Sequence, residues 1–404
     1  MKNTHLAYVL GEFPSISETF ILNEIHELQR LGFIIDIFAL TDQRKTQIQP
    51  AASDLLPYVT YIPKPIRIHR PGRLLMQLNL PIKNLSTFMQ LKKHYPNHYF
   101  CALWLAQHIK HRHIEHMHAH FPEPSLVALM AHLLTNIPFS FTIHSHLHNE
   151  EAYALKERVQ HAQFVVTVGK RIKQSVLTII GRSYGKKIFT VYCGINERLL
   201  ALSRSINYSK LRNNPVPFRI LTIGRLVQHK GIHVLIEAIS KISNGCPNVR
   251  LTIIGDGPLR THLKKRIEKF RLRTHIRLLG SVPHNKYFFR IISKSHAFIL
   301  PCITDTEGNQ DGLPVALLEA MIFQLPMIST PIGSIPEAVH KSNGILVQEN
   351  NADALAKAIT YMYHLSYEKR LVLGINGQKE IYKKFNLTKN VMRLATLFQT
   401  FSSL

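Results

Sequence analysis

A strand-length apolar run, a turn and a helix-length amphipathic run recur along this chain, and that rhythm admits few folds. THLAYVL reads as a strand. From Ser17 to Leu31, Phe20, Ile21, Ile25, Leu28 and Leu31 recur at helical spacing, and Gly32 ends the helix. FIIDIFAL is the next strand, and IEHMHAH, FSFTIH, FVVTVG and IFTVY follow with helical stretches between them. Alternation of this kind builds a parallel sheet covered on both faces.

The rhythm breaks near residues 194–217. NERLLALSRSINYSKLRNNPVP holds no strand and ends in Asn-Asn-Pro-Val-Pro, which is linker chemistry. It then restarts with the strand FRILTIG, the helix GIHVLIEAISKI, the strand VRLTIIG and a basic amphipathic helix from Pro258 to Arg271. IRLLG, AFILP and PMIST are further strands, and a helix begins near Pro314. The expectation is an α/β chain of two doubly wound, Rossmann-like domains, residues 1–205 and 206–380. A helical segment, 381–404, is free to return to the first domain. Two such domains facing each other would enclose an interdomain cleft at the C-terminal ends of their strands.

Composition bounds the partners. The 404 residues carry 50 Lys and Arg against 25 Asp and Glu, a formal charge of +25, with 24 His besides. A field this positive favours an anionic partner: nucleic acid, an acidic membrane surface or a phosphorylated substrate. Apolar residues at 45% exclude a globally disordered chain. Four scattered cysteines without a CxxC pair argue against a zinc ribbon or a disulfide scaffold and fit a reducing compartment. Leu6 to Leu10 is too short for a signal sequence, and no stretch approaches the roughly 18 apolar residues of a membrane span. The chain is therefore expected in the cytoplasm.

Three elements in the second half carry chemistry. GRLVQHKG, Gly224 to Gly231, follows a strand and opens a helix. Gly224 suits a sharp turn, Arg225 and Lys230 are cations on the loop, and the helix start offers unpaired amides; a diphosphate is the natural guest. GDGP, Gly255 to Pro258, is a second turn after a strand, and alone it is no more than a generic strand–helix connection. PCITDTEGNQDGLPVALLEAM, Pro301 to Met321, is the most specific. Asp311 lies in its loop and Glu319 on the following helix among Ala316, Leu317, Leu318 and Ala320, which argues against a casually exposed glutamate. Carboxylates accept hydrogen bonds from sugar hydroxyls, and the exposed amides at the helix start, in the donor-binding stretch Gly312, Leu313, Pro314 and Val315, can hold phosphate oxygens.

In this order the three elements resemble glycosyltransferase family 4, of the GT-B fold, across essentially the whole chain. LLGSVP, Leu278 to Pro283, and STPIGSIPE, Ser329 to Glu337, fit the same family. The resemblance implies a retaining transferase that uses a nucleotide-diphosphate sugar and needs no metal or other cofactor. Arg225 and Lys230 would clamp the diphosphate, Glu319 would bind ribose hydroxyls, and Val282 would stand where the base is held. Asp311 occupies a position usually filled by a glutamate touching the donor sugar and is one methylene shorter.

GEFPSISETFILNEIHELQRLGFIIDIFAL, HAHFPEPSLVALM and FSFTIHSH resemble the colanic-acid and exopolysaccharide subgroup of that family. Gly11, Glu12 and Ser17 would then be acceptor-side residues. Gly11, Glu12 and Phe13 stand where a doubled glycine is often seen. His116, His118 and His120 alternate along a strand, so they are not all expected to point into the cleft. By family position His120 and His144 end strands facing the cleft and would hydrogen-bond the donor sugar or diphosphate, and no metal site is expected there.

The resulting expectation is a transferase that delivers a sugar to a lipid-linked saccharide during synthesis of exopolysaccharide, capsule or lipopolysaccharide. Two cations do not account for +25. Between Leu55 and Ile114 there is no Asp or Glu but nine Lys or Arg, and RIHRPGRLLMQLNLPIKNLSTFMQLKK mixes cations with Leu, Met and Phe as an interfacial segment would. The remaining charge points to an anionic inner membrane surface, with the enzyme peripheral on its cytoplasmic face. A nucleotide-sugar 2-epimerase of the same fold is the rival. No recognisable nucleic-acid-binding module appears, and no nucleic-acid partner is expected.

Overall fold

A computed structural model of the chain describes residues 4–15, 18–44, 49–63, 84–145, 152–213 and 216–402. The chain divides into two compact units. The first comprises residues up to Val168, Ile172–Val191 and the residues from Lys389 onward; the second comprises Gly169–Arg171 and Tyr192–Thr388.

The first unit is built on β1 (His5–Phe13), β2 (Ile34–Asp42), β3 (Val59–Tyr61), β4 (His116–His120), β5 (Phe139–Ile143), β6 (Phe164–Thr167) and β7 (Ile188–Thr190). They form one sheet in the order β3-β2-β1-β4-β5-β6-β7, parallel throughout. Leu6 to Leu10 are essentially inaccessible, as a central strand covered on both faces requires. The helix Thr19–Arg30 buries Ile21, Leu22, Ile25 and Leu28, three and four residues apart. The final helix, Leu387–Ser402, sets buried Phe398 against the rings of Phe33, His116 and Phe164.

The second unit holds β8 (Phe218–Ile223), β9 (Val249–Ile254), β10 (Ile276–Gly280), β11 (Ala297–Leu300), β12 (Met327–Ser329) and β13 (Gly344–Leu346). Their order is β10-β9-β8-β11-β12-β13, again all parallel. In each sheet the winding direction reverses once, between β1 and β4 and between β8 and β11. Such a reversal opens a crevice beyond the strand C-termini.

The segment expected as a linker is different in kind. The chain enters the second unit at Tyr192, not near residue 206, and residues 192–213 pack into it. Asn196 and Asn207 cap two short helices, Glu197–Arg204 and Tyr208–Arg212, by accepting from the amides of Leu199 and Lys210. Leu199, Leu200 and Tyr208 join the apolar core. Buried Arg212 donates to the carbonyls of Ile292, Ser293, Phe323 and Gln324. A strandless stretch reads as a connector by elimination, but its amphipathic residues find a core to cover. The interfacial reading falls mainly on residues 64–83, outside the described ones; the helix Leu85–His94 that follows is described and buries Phe88 and Leu91.

Candidate active site

In the second unit, the site builds up at the β8/β11 switch. Gly224 and Arg225 leave the end of β8, and Cys302 to Asp311 leave the end of β11. Lys230 reaches across: its Nζ lies 2.8 Å from Asp311 Oδ1. The Cys302 thiol donates to the other carboxylate oxygen at 3.1 Å. Burial by itself would lower the Lys230 pKa, but the Asp311 charge beside it holds it above the ordinary lysine value. Burial would raise Asp311, and Lys230 holds it below the ordinary aspartate value. The Cys302 thiol is pushed well up, first by burial and then by Asp311, so it stays protonated. Asp311 was expected at a donor sugar and Lys230 at a diphosphate; in the folded chain they are partners of each other. Arg225 is exposed, with no ion-pair partner among the described residues.

Glycine acts elsewhere than the sequence suggested. Gly224 does not have positive φ, and a Cβ there would make only ordinary contact with the Lys230 stem at 3.4 Å. The demanding position is Gly231: φ is +64° and a Cβ would lie 1.8 Å from the Pro301 carbonyl oxygen. It seats the Gly224–Gly231 loop against the start of the Asp311 loop. The glycines of GDGP serve the same loop, since a Cβ on Gly255 would strike the Gly224 carbonyl and one on Gly257 the backbone of Leu226.

Pro314 caps the helix Val315–Ile322, whose first amides have no partner within the helix. Gly312, Leu313 and Pro314 are buried and Val315 half-buried. Behind them, Ser334 N–H donates to the Gly312 carbonyl at 2.7 Å, and Gly333 (φ +51°) packs on the Asp311 and Gly312 carbonyls. STPIGSIPE thus buttresses the loop. Glu319 is 5% exposed. Burial raises its pKa, opposed by His284, whose Nε2 is 3.7 Å from Oε2. No hydrogen bond from a described residue reaches its carboxylate. Val282, two residues before His284, is half-buried against the core. Sequence reading missed Cys302, His284 and the buttress; only Ser329 to Glu337 was flagged, without a role.

In the first unit, a polar chain runs beside the β1/β4 switch. His116, His118 and His120 do share one face, because residues two apart on a strand always do. What separates them is depth. His116 Nε2 and His118 Nδ1 both lie 2.7 Å from Ser140 Oγ, and His118 Nε2 lies 2.9 Å from Thr142 Oγ1, all inside the layer. Burial pushes His116 down to about 3 and lowers His118 well below the ordinary histidine value, so both are neutral. His120, at the strand end, has both ring nitrogens engaged: Nε2 3.1 Å from Glu24 Oε1 and Nδ1 2.8 Å from His144 Nε2. The Tyr8 hydroxyl donates to the same Glu24 oxygen at 2.9 Å. His120 is fully buried, so of the two expected histidines only half-buried His144 can meet a ligand. Glu24, His118 and His120 bring ligand-type atoms within 4.8 Å of one another, but both His118 nitrogens are already bonded. Gly11 and Glu12 belong to β1 instead of a following loop; Glu12 accepts from Ser15 and Gln43. Ser17 lies outside the described residues.

Two parallel, doubly wound units, each with its polar groups at the strand C-termini, define a protein of the GT-B class. Solved structures agree at the level of fold. Anabaena HepE in complex with UDP matches with a TM-score of 0.71 and 17% identity over 99% of this chain and 100% of that one. Sucrose-phosphate synthase from Thermosynechococcus elongatus gives 0.72 and 17% over 99% and 100%. The family model "Glycosyltransferase Family 4" matches residues 17–199 and "Glycosyl transferases group 1" residues 204–380, and the chain belongs to this glycosyltransferase family. The colanic acid biosynthesis glycosyltransferase WcaL of Salmonella typhimurium is 32% identical over 186 residues, 46% of this chain and 46% of WcaL. The amylovoran biosynthesis glycosyltransferase AmsK of Erwinia amylovora is 35% identical over 191 residues, again 46% of each. The chain spans about half the length of the curated relatives it matches.

Proposed function

We propose that this protein transfers a sugar, with retention, from a nucleotide-diphosphate sugar to a lipid-linked saccharide during synthesis of a cell-surface polysaccharide. The observation that carries the reading is the pair of carboxylates, half-buried Asp311 and buried Glu319, set with Lys230 around the start of one helix at the β8/β11 switch. Names of relatives that act in colanic acid and amylovoran biosynthesis support the exopolysaccharide setting.

Glu319, buried and without a hydrogen-bond donor among the described residues, is suited to ribose hydroxyls. The amides of Val315 and Ala316 suit the phosphates, and Val282 and His284 border the base. Arg225 and Lys230 meet the diphosphate charge as the bond between the anomeric carbon and the phosphate oxygen breaks. The acceptor oxygen bonds to that carbon on the same face, and its proton passes to the departing phosphate oxygen. The protein contributes positioning and charge stabilisation. In this reading the cations and helix amides supply the positive charge, so no metal takes part.

The test is labelled nucleotide sugar with a lipid extract. Label appearing in the lipid fraction supports transfer; an epimerised nucleotide sugar without acceptor overturns it in favour of the 2-epimerase. We propose further that the enzyme lies on anionic membrane. None of the described helices is long and apolar enough to cross one. Flotation with acidic liposomes at low salt tests this, and absence of binding refutes it.

A further inference from the structure

The chain Tyr8–Glu24–His120–His144 has a direction, and the direction fixes a proton. An ionised carboxylate only accepts hydrogen bonds. Glu24 Oε1 receives two, from the Tyr8 hydroxyl at 2.9 Å and from His120 Nε2 at 3.1 Å, so His120 Nε2 carries its proton. Burial, then the Glu24 charge, keeps the Tyr8 hydroxyl protonated and donating. With that proton on Nε2, the neutral form of the ring has its lone pair at Nδ1. In that form the 2.8 Å contact from Nδ1 to His144 Nε2 is a hydrogen bond that His144 donates. A neutral His144 with its proton on Nε2 has its own lone pair at Nδ1, and that atom makes no hydrogen bond to a described residue.

Packing removes the alternatives of ring position. The His144 ring lies between Phe20 and Phe121, each with its centroid 4.7 Å away, and stacks on His120 at 5.1 Å. His118, 5.0 Å from His120, has both nitrogens bonded to Ser140 and Thr142 and does not compete. The rings are fixed by apolar contact; what remains free is the tautomer, and Glu24 sets it from the opposite end.

We propose that Glu24 is a positioning residue: acting through His120, it holds His144 as the Nε2–H tautomer and so presents Nδ1 as an acceptor for a saccharide hydroxyl. An acceptor nitrogen suits a sugar O–H and repels a phosphate oxygen. This rests on the transferase reading for its ligand, but the tautomer does not depend on that reading.

The experiment is nitrogen NMR of the whole protein labelled at histidine, with the His144 signals assigned by their loss in His144→Asn. The expected result in the ligand-free protein is an unprotonated Nδ1 and a protonated Nε2 at His144. A protonated Nδ1 overturns the proposal. Glu24→Gln, whose amide can donate as well as accept, should lose the single tautomer while its melting temperature stays close to that of the parent. Retention of the parental tautomer in that variant overturns the role of Glu24. Titration with UDP-glucose, GDP-mannose, UDP and GDP then tests the ligand. Movement of the Nδ1 signal with a nucleotide sugar but not with its parent nucleotide supports the hydroxyl contact. A signal that moves equally with UDP or GDP, or with none of the four, overturns it. Liposome extracts or acceptors are not needed, so failure of transfer activity and failure of this inference are read separately.

Discussion

Lys230 and Asp311 hold each other at 2.8 Å with side chains only 14% and 16% exposed. At an effective dielectric of about 20, charges at that distance attract by roughly 6 kcal/mol before desolvation is subtracted. Removing one partner strands the other, and breaking such a pair costs about 3–5 kcal/mol. Lys230→Met strands Asp311, which keeps the Cys302 thiol as its remaining donor and limits the loss by taking up a proton. Asp311→Asn strands a half-buried ammonium. Each variant is therefore expected to lose about 3 kcal/mol, or roughly 10 °C in melting temperature for a unit of this size. The double variant Lys230→Met/Asp311→Asn should recover most of that, because no unpaired charge remains. Calorimetric melts of the four proteins read this directly. Single variants within about 2 °C of the parent, or a double variant equal to the sum of the singles, refute the buried pair. The pH dependence has a defined sign. Asp311, depressed in the fold, contributes stability above the ordinary aspartate pKa and loses it as pH falls through its folded value. Lys230, raised in the fold, contributes below the ordinary lysine pKa and loses it as pH rises through its folded value. Asp311→Asn should therefore flatten the acid limb of the stability curve as well as the alkaline one.

Glu319→Gln removes a buried charge whose pKa burial has raised, so it should gain about 1 kcal/mol of stability at neutral pH while weakening nucleotide binding; calorimetric titration against melting temperature checks the opposition. Loss of stability together with unchanged binding would show that Glu319 is purely structural. Gly231→Ala forces a Cβ onto the Pro301 carbonyl at positive φ and should destabilise by at least about 1–3 kcal/mol, whereas Gly224→Ala should be tolerated for folding, as melts of the two variants would show. Arg225→Ala, exposed and without an ion-pair partner among the described residues, should leave the melting temperature nearly unchanged yet lower transfer by about two orders of magnitude. Near-normal turnover in that variant would remove Arg225 from the diphosphate site.

The alternation of strands and helices was legible because a central parallel strand must be apolar along its whole length and each covering helix along one stripe. Those demands are local: an unbroken apolar run for the strand and a 3.6-residue repeat for the helix. The two units, the placement of GRLVQHKG after β8 and of Asp311 and Glu319 around one helix start all follow from reading neighbours along the chain. The alternation of the three histidines of β4 suggested different directions, whereas a period of two puts all three on one face, and only the fold shows how deep each lies. The two helices capped by Asn196 and Asn207 went unread where composition suggested a connector, and the core of the second unit explains why they pack. Glu24 gave no sign of its part: it is one more polar residue on an amphipathic helix, 96 positions from His120. Lys230 and Asp311, 81 positions apart, look like two independent ligand contacts until the chain between them folds. Sequence determines which faces are apolar, and so the sheets and their winding. Only tertiary structure decides which charges share a low-dielectric site, because strand adjacency at a switch point, not order along the chain, brings those groups within hydrogen-bond distance.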